Sequence, residues 1–453
     1  KASGAGAVQK LDFTFEWEGS GKDSPEIELS MGMFKLTSGE TCLTRNVDIW
    51  AKTVKEKVML SAYPLATWLA GNWWRLMYEP LPPQSLKPTA DWRMAHEMTA
   101  ADHGFLWPNV IMATDSEKMQ IWAKPSNTDA RQAIKYLNGL AVPVSVDVKD
   151  FIKIIDNFID NVLSRLDATG VKETDLFHLW SQTLQERADA ESARYRKTEA
   201  EMGFEPDECS EIIVADSIEL AARLGAGNLS ELAPVCGKLS AKGPLQEIRE
   251  LLATRGIKGR PDFLSNGFSV AEASALYQPW HQANERARQT RKMLANPSDA
   301  ISTQTICDLL GLGADDIIAW QPLSRQQISI AVQNDDGFLD FFPRKKHPTA
   351  RRFELARFIG DYMLSDQDKC TISIACTDLR TCRQKFQRAY AAELLCPLDG
   401  LLEFLDSDFS ESAIEDAANH YEVSLTTVTS ILANNGFIPR TEVNDLNEGP
   451  LPY

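Results

Sequence analysis

Apolar and polar residues alternate through the first sixty positions of the chain. Leu11, Phe13, Phe15 and Trp17 are interleaved with Asp12, Thr14 and Glu16, and the same two-residue period returns at 33–37 and 58–62. That period puts successive side chains on opposite faces of a strand, so these segments predict a half-exposed antiparallel sheet. From Pro64 the period changes. Leu65, Trp68, Leu69, Trp73 and Leu76 recur at intervals of three and four, which predicts a helix. A break at Pro80, Pro82, Pro83 and Pro88 follows, and strand-like runs return at 110–112 and 119–123. Residues 1–145 are therefore expected to form one α+β domain.

Residues 146–298 read as a helical domain. Phe151, Ile154, Ile155, Phe158 and Val162 make one apolar stripe, and Thr174 is placed to cap the next helix. The stretch 185–202 reads as a single charged, solvated helix, and 225–227 and 242–244 as loops. Ser269 and Glu272 have capping-box spacing for a helix running through Ala273, Leu276 and Trp280 toward Met293. Pro279 inside that run should kink or split it. Residues 299–453 form the third expected domain. It holds a short helix at 303–310 stopped by Gly311, a hairpin of 328–332 and 338–342 around the turn 334–337, and a helix carrying Arg357 and Asp361. The helix 383–395 follows, stopped by Pro397, and then two short helices at 410–422 and 424–434. The fold class expected is α+β, predominantly helical: an N-terminal antiparallel sheet domain, a helical middle and a mixed C-terminal domain.

Composition narrows the function classes. A chain of 453 residues with 43% hydrophobic and 25% charged residues is ordinary globular material. No run approaches the roughly eighteen apolar residues of a membrane span, and the first residues carry no apolar signal core, so a cytoplasmic protein is expected. The eight Cys include no CxxC pair and read as free thiols in a reducing compartment. The net charge of −17 argues against a protein that coats nucleic acid. The charge is uneven, however. Between positions 344 and 388 eleven Lys and Arg oppose five Asp and Glu, a local +6 that leaves −23 for the remainder. Arg344, Lys345, Lys346, Arg351, Arg352, Arg380, Arg383, Lys385 and Arg388 are candidate ligands for an anion there: nucleic acid, a nucleotide or an acidic protein segment. The plain alternative is a solvated basic face.

One helix in that island carries the candidate chemistry. An HExxH zinc peptidase needs two imidazoles four residues apart and a Glu beside the first as general base. Here the three slots hold Arg357, Phe358 and Asp361. His96-Glu97 with His103 has the wrong spacing for one helical face and reads as a core or turn feature, His281 reads as a packed or surface residue, and His420 as a cap-region residue. The segment 415–438 has a helix-turn-helix rhythm, but its second helix lacks Lys and Arg, so DNA reading by it is not expected.

Arg352-Phe353-Glu354-Leu355-Ala356-Arg357-Phe358-Ile359-Gly360-Asp361, with Ala389-Tyr390-Ala391-Ala392-Glu393-Leu394-Leu395-Cys396-Pro397 after it, resembles the ImmA/IrrE family of zincin-like metallopeptidases. The resemblance spans roughly 275–440. Its family acts in bacterial regulation of mobile elements and stress responses. Carried over by position, Arg357 and Asp361 take the two zinc-histidine places, Phe358 the general base and Glu393 the third ligand. Only Glu393 keeps its chemistry, and arginine stays protonated at any working pH. The resemblance thus implies a degenerate, zincin-like C-terminal domain with no catalytic residues, metal or other cofactor. Arg357 is expected to replace the metal's charge, lying between Asp361 and Glu393. The function implied is a non-catalytic sensor, adaptor or regulator that works through a protein partner, in a mobile-element or anti-phage context. The alternatives are a nucleic-acid- or nucleotide-binding regulator using the basic island, and a metal-dependent hydrolase with a non-standard centre.

Overall fold

Phe15 faces Phe34 across the first ladder of the chain. The computed structural model describes residues 11–18, 23–83, 86–127, 132–261, 279–364 and 373–439. In it, Leu11–Trp17 pairs antiparallel with Met31–Ser38, which pairs in turn with Val58–Ser61 and Thr41–Cys42. Burial alternates strictly along Met31–Ser38, as the two-residue period requires. A second antiparallel sheet joins Asn109–Thr114, Lys118–Lys124 and Val144–Asp147, and a third, small one joins Asn46–Asp48, Thr53–Lys55 and Ile134–Tyr136. The fold is α+β, with helix in excess of strand and most of the small antiparallel sheets in the N-terminal part.

The chain divides into two compact units, one within Lys1–Ser210 and the other taking Glu211–Gly449 together with Pro82–Gln84. This partition cuts through the stretch 146–298 that the hydrophobic pattern treats as one helical domain. The helix Val148–Ala168 buries Phe151, Ile155, Phe158 and Val162 of the expected stripe, leaves Ile154 half-buried and adds Ile159, in the same core as Phe34, Leu69 and Trp73. Those residues complete the N-terminal sheets, so the helix belongs to the first unit. Thr174 caps Asp175–Ala188 by accepting the N–H of Phe177 at 3.2 Å. The charged stretch 185–202 is not one solvated helix. Asp189 interrupts it and accepts the Ser192 N–H at 2.8 Å, opening a new helix, Ala190–Glu201. Arg196 in that helix is ringed by Glu186, Glu199 and Asp207, each within 2.9 Å, and Glu199 is buried.

The second unit contains a four-stranded antiparallel sheet in the order Ile257–Gly259, Leu339–Phe342, Ser329–Gln333, Ser373–Cys376. Its core joins Phe341, Leu355, Phe358, Tyr390 and Leu394 with Ile414, Val428 and Leu432 of the closing helices Glu411–His420 and Leu425–Asn434. The closing segment thus packs into this fold as an integral part of its core. Leu224 ends one helix and Ala226 begins the next, so the expected loop at 225–227 shrinks to Gly225, whose φ of +83° suits glycine. The expected capping box at Ser269 and Glu272, and the helix start at Ala273 and Leu276, lie outside the described residues. From Pro279 the helix runs to Met293. Among the described residues no helix is long and apolar enough to cross a membrane.

Candidate functional site

The site is built where the helix Pro348–Leu364 meets the helix Cys382–Leu395 over the strand Ser373–Cys376. Thr381 caps the second helix, accepting the Gln384 N–H at 3.2 Å. The two helices approach closely because residue 360 is glycine: a Cβ there would stand 2.9 Å from the Tyr390 ring. Nearly every residue from Arg351 to Met363 is buried, Arg357 and Asp361 included. Burying charge on this scale demands partners inside the fold.

Asp361 is fully enclosed and has three donors. It accepts the Ala375 N–H at 3.0 Å and takes Nε and Nη2 of Arg383 at 2.6 Å each, one on each carboxylate oxygen. This is the side-on, two-pronged geometry in which guanidinium and carboxylate bind most strongly. Burial pulls the Arg383 guanidinium down, but Asp361 more than offsets that and holds it above its ordinary value. Nη2 of Arg383 also donates to Asn228 Oδ1 at 2.6 Å, and Asn228 donates to the Ser373 carbonyl at 3.1 Å.

Arg357 is held by neutral oxygens. Its Nη2 donates to the Thr377 carbonyl at 2.6 Å, to Gln384 Oε1 at 2.5 Å and to Gln387 Oε1 at 3.1 Å. The amide nitrogens of Gln384 and Gln387 each donate to the Ala375 carbonyl at 2.9 Å, which fixes the flip of both amides. Gln384 also donates to Glu231 Oε2 at 2.9 Å, and Thr381 Oγ1 does so at 2.6 Å. Glu231 is buried, and burial pushes its carboxyl above the usual range.

The expected triad of Arg357 between Asp361 and Glu393 does not form. Arg383, one turn earlier than Gln387 on the same helix, reaches Asp361 first, and Glu393 turns to a different helix. There it pairs with Arg288 Nε at 2.8 Å and accepts the Leu398 N–H at 3.4 Å. Phe358, in the general-base position, is a core ring set edge-on to Phe341 at 5.4 Å between centroids. The four residues carried over from the zincin pattern therefore belong to three separate arrangements: a charge pair, an amide cradle with a core ring beside it, and a rim salt bridge. Among the described residues no three His, Cys, Asp or Glu side chains are placed together as a metal ion would require.

The basic island also separates by role. Arg351 donates to the carbonyls of Lys345, Ile317 and Trp320, and Arg352 to the Ile301 carbonyl and Thr303 Oγ1, both at 2.8 Å, with Glu422 at 3.0 Å. These two arginines tie the helix Pro348–Leu364 to neighbouring helices and loops. Arg344 pairs with Asp378 at 2.5 Å and lies 3.7 Å from Glu354, which accepts Ser329 Oγ at 2.5 Å and the Lys345 N–H at 3.1 Å. Burial opposes the Asp378 charge, yet Arg344 holds this carboxyl down to about 2. Lys346 is exposed, Lys345 and Arg380 are half-buried, and Lys385 is buried. Arg388 is the exception to the pairing: its Nε and Nη2 are sealed from solvent and have no hydrogen-bond partner among the described residues.

In the first unit, His96 is a satisfied core residue. Its Nδ1 lies 2.8 Å from the Met112 carbonyl oxygen and its Nε2 3.0 Å from Glu79, and its ring stacks on Trp92. His420 sits 3.1 Å from Asp299 beside Phe404. None of the described cysteines is in a disulfide. Sequence reasoning missed Glu231, Asn228, Gln384 and Gln387. The last two were legible in part, since positions 383, 384, 387 and 388 share one helical face, but nothing near Glu231 points across 150 residues to Thr381. The sequence matches no known family profile and no curated protein.

Proposed function

We propose that the C-terminal unit is a zincin-like fold converted from a cutting site to a structural one, and that the chain is a non-catalytic sensor, adaptor or regulator acting through a protein partner. The observation that supports this best is the side-on pair of Arg383 with Asp361, at a position the ImmA/IrrE resemblance gives to a zinc-binding histidine. Three donors on Asp361, two of them from a guanidinium, leave at most one of its roughly four lone-pair sites for a metal, beside a fixed positive charge that would repel one. Phe358 supplies no base to activate water. The resemblance further implies a bacterial, cytoplasmic setting tied to mobile elements or phage defence. Metal content and peptide cleavage of the purified full chain test the proposal. Less than a tenth of an equivalent of zinc is expected, unchanged in Glu393→Gln. One zinc per chain that is lost in Glu393→Gln, or cleavage abolished by that change, overturns it.

A further inference from the structure

The small sheet of Thr53–Lys55, Asn46–Asp48 and Ile134–Tyr136 in the first unit has one packed face and one open face. Pairing sets Asn46 opposite Tyr136, and both are buried. The other face carries Val54, Val47 and Lys135 in one row, because Val47 pairs with both of the others. Backbone bonds extend it on either side. Leu137 donates its N–H to the Arg45 carbonyl at 2.8 Å, and Ile49 donates to the Ala133 carbonyl at 2.9 Å. Side chains alternate along a strand, so Arg45, Ile49, Ala133 and Leu137 share the face of Val47 and Val54. Ile49, Val54 and Leu137 are exposed on it.

The loop 49–52 at the end of this face presents Trp50. At 84% it is the most exposed large apolar side chain among the described residues. Its backbone is nonetheless held: Asp48 Oδ1 accepts the N–H of Trp50 at 3.1 Å and that of Ala51 at 2.9 Å. An indole presented by a fixed turn loses little freedom when it is covered. The strand edge beside it is open as well. The two bonds above turn the backbone groups of Arg45, Val47 and Ile49 toward Ile134–Tyr136, so those of Asn46 and Asp48 face Lys55 and Thr53. The N–H and C=O of Val54 therefore point off the edge, and they have no partner among the described residues.

Charge selects what this surface fits. Arg45 and Lys52 are exposed and in no salt bridge among the described residues. The nearby acids are already engaged, Asp48 by the turn and by Lys55 at 3.5 Å, and Glu56 by Lys35 at 2.6 Å. On a chain of net charge −17 this is an apolar surface fringed by cations. A second copy docked through the same face would set those cations against each other. One indole among aliphatic side chains is no stacking track for bases, and an anionic bilayer repels so acidic a chain.

We propose that this face and the open edge of Thr53–Lys55 form the docking surface for an extended, acidic segment of a protein partner. Its apolar residues cover Trp50, Ile49 and Val54, its carboxylates meet Arg45 and Lys52, and it adds as a further strand hydrogen-bonded to Val54. The inference rests on the reading of the chain as one that acts through a protein partner, and it names the surface and the charge of that partner.

Selection of a random phage-displayed peptide library on the purified full chain tests it, with the enriched peptides synthesised and titrated by calorimetry. Enriched sequences should alternate Asp or Glu with apolar residues, and their affinity should fall as salt rises. Trp50→Ser should weaken binding about tenfold or more, and Val54→Pro, which removes the outward N–H, should weaken it too. The double variant Arg45→Glu, Lys52→Glu should weaken it at low salt, with the difference fading at high salt. Trp50, Arg45 and Lys52 are exposed, so their variants should keep the urea midpoint of wild type. Enriched peptides without acidic residues, no enrichment at all, or binding retained in Trp50→Ser and in the double variant overturns the proposal. Oligothymidylate or phosphatidylglycerol vesicles bound more tightly than any peptide, and lost in Trp50→Ser, overturn it in favour of nucleic acid or membrane. Zinc that is lost in Glu393→Gln overturns the reading of the chain and leaves peptide binding here standing, whereas absent peptide binding by a zinc-free chain overturns this surface alone.

Discussion

Arg383 grips Asp361 side-on, with Nε and Nη2 each 2.6 Å from a different carboxylate oxygen. The carboxylate is wholly enclosed, so the pair is a matched set of buried charges whose members depend on each other. Removing one partner strands the other. Arg383→Met should cost about 3–5 kcal/mol in urea unfolding. Asp361→Asn keeps an acceptor for the Ala375 N–H, so the double variant Asp361→Asn, Arg383→Met should recover much of that loss. A double-mutant cycle reads the coupling directly, and losses that simply add within about 0.5 kcal/mol would show that the pair is not a unit.

Arg357 makes the contrasting case, a cation held by amides and a carbonyl. Arg357→Met should cost about 2–3 kcal/mol, because three hydrogen bonds to a charged donor vanish while the buried acceptors remain. Its partners are also distinguishable. Coupling with Gln384→Leu should be large, and coupling with Glu393→Gln should be near zero, since Glu393 pairs with Arg288. Strong coupling of Arg357 to Glu393 would restore the triad that the residue spacing suggested.

The elements were legible because each rests on a local signal. Alternation gave the ladder Leu11–Trp17 with Met31–Ser38, the stripe Phe151 to Val162 gave its helix, and Thr174 gave its cap. Asp189 was also a cap, but a run of charged helix formers on both sides hid it. The site was legible only as a set of suspects. Spacing of four puts Arg357 and Asp361 on one face, yet it cannot say which cation reaches a carboxylate first. That choice was made by Arg383 on another helix, supported by Asn228 from more than 150 residues away. Partner choice among buried charges is a tertiary property, set by helix separation at Gly360 and Tyr390.

Glu393 sits at the edge of this network, and its loss should be mild. Its partner Arg288 is 40% exposed, so water screens the pair, and burial already pushes the Glu393 carboxyl upward. Glu393→Gln keeps an acceptor for the Leu398 N–H. The variant should stay within about 1 kcal/mol of wild type by urea unfolding. A loss of several kcal/mol would mean that Glu393 has a buried charged partner beyond Arg288.

Glu231 gives the network a pH signature whose sign can be worked out. Burial raises its native carboxyl above the ordinary 4.5, although Arg383 and the donors Thr381 and Gln384 work the other way. Between the unfolded and the raised native value, the native state binds more protons than the unfolded chain. Stability contributed by this group therefore falls as pH rises through that window, and it is fully present below it. A Glu231→Gln variant carries no charge there to penalise, and the new amide oxygen can accept from both Thr381 and Gln384. The variant should be more stable than wild type at about pH 8, and the gap should close toward about pH 4. Urea midpoints of both proteins across that range decide the matter. A variant less stable than wild type at about pH 8, with the difference growing as pH rises, would mean that Glu231 is ionised in the fold and serves as a counter-charge to the arginines around it.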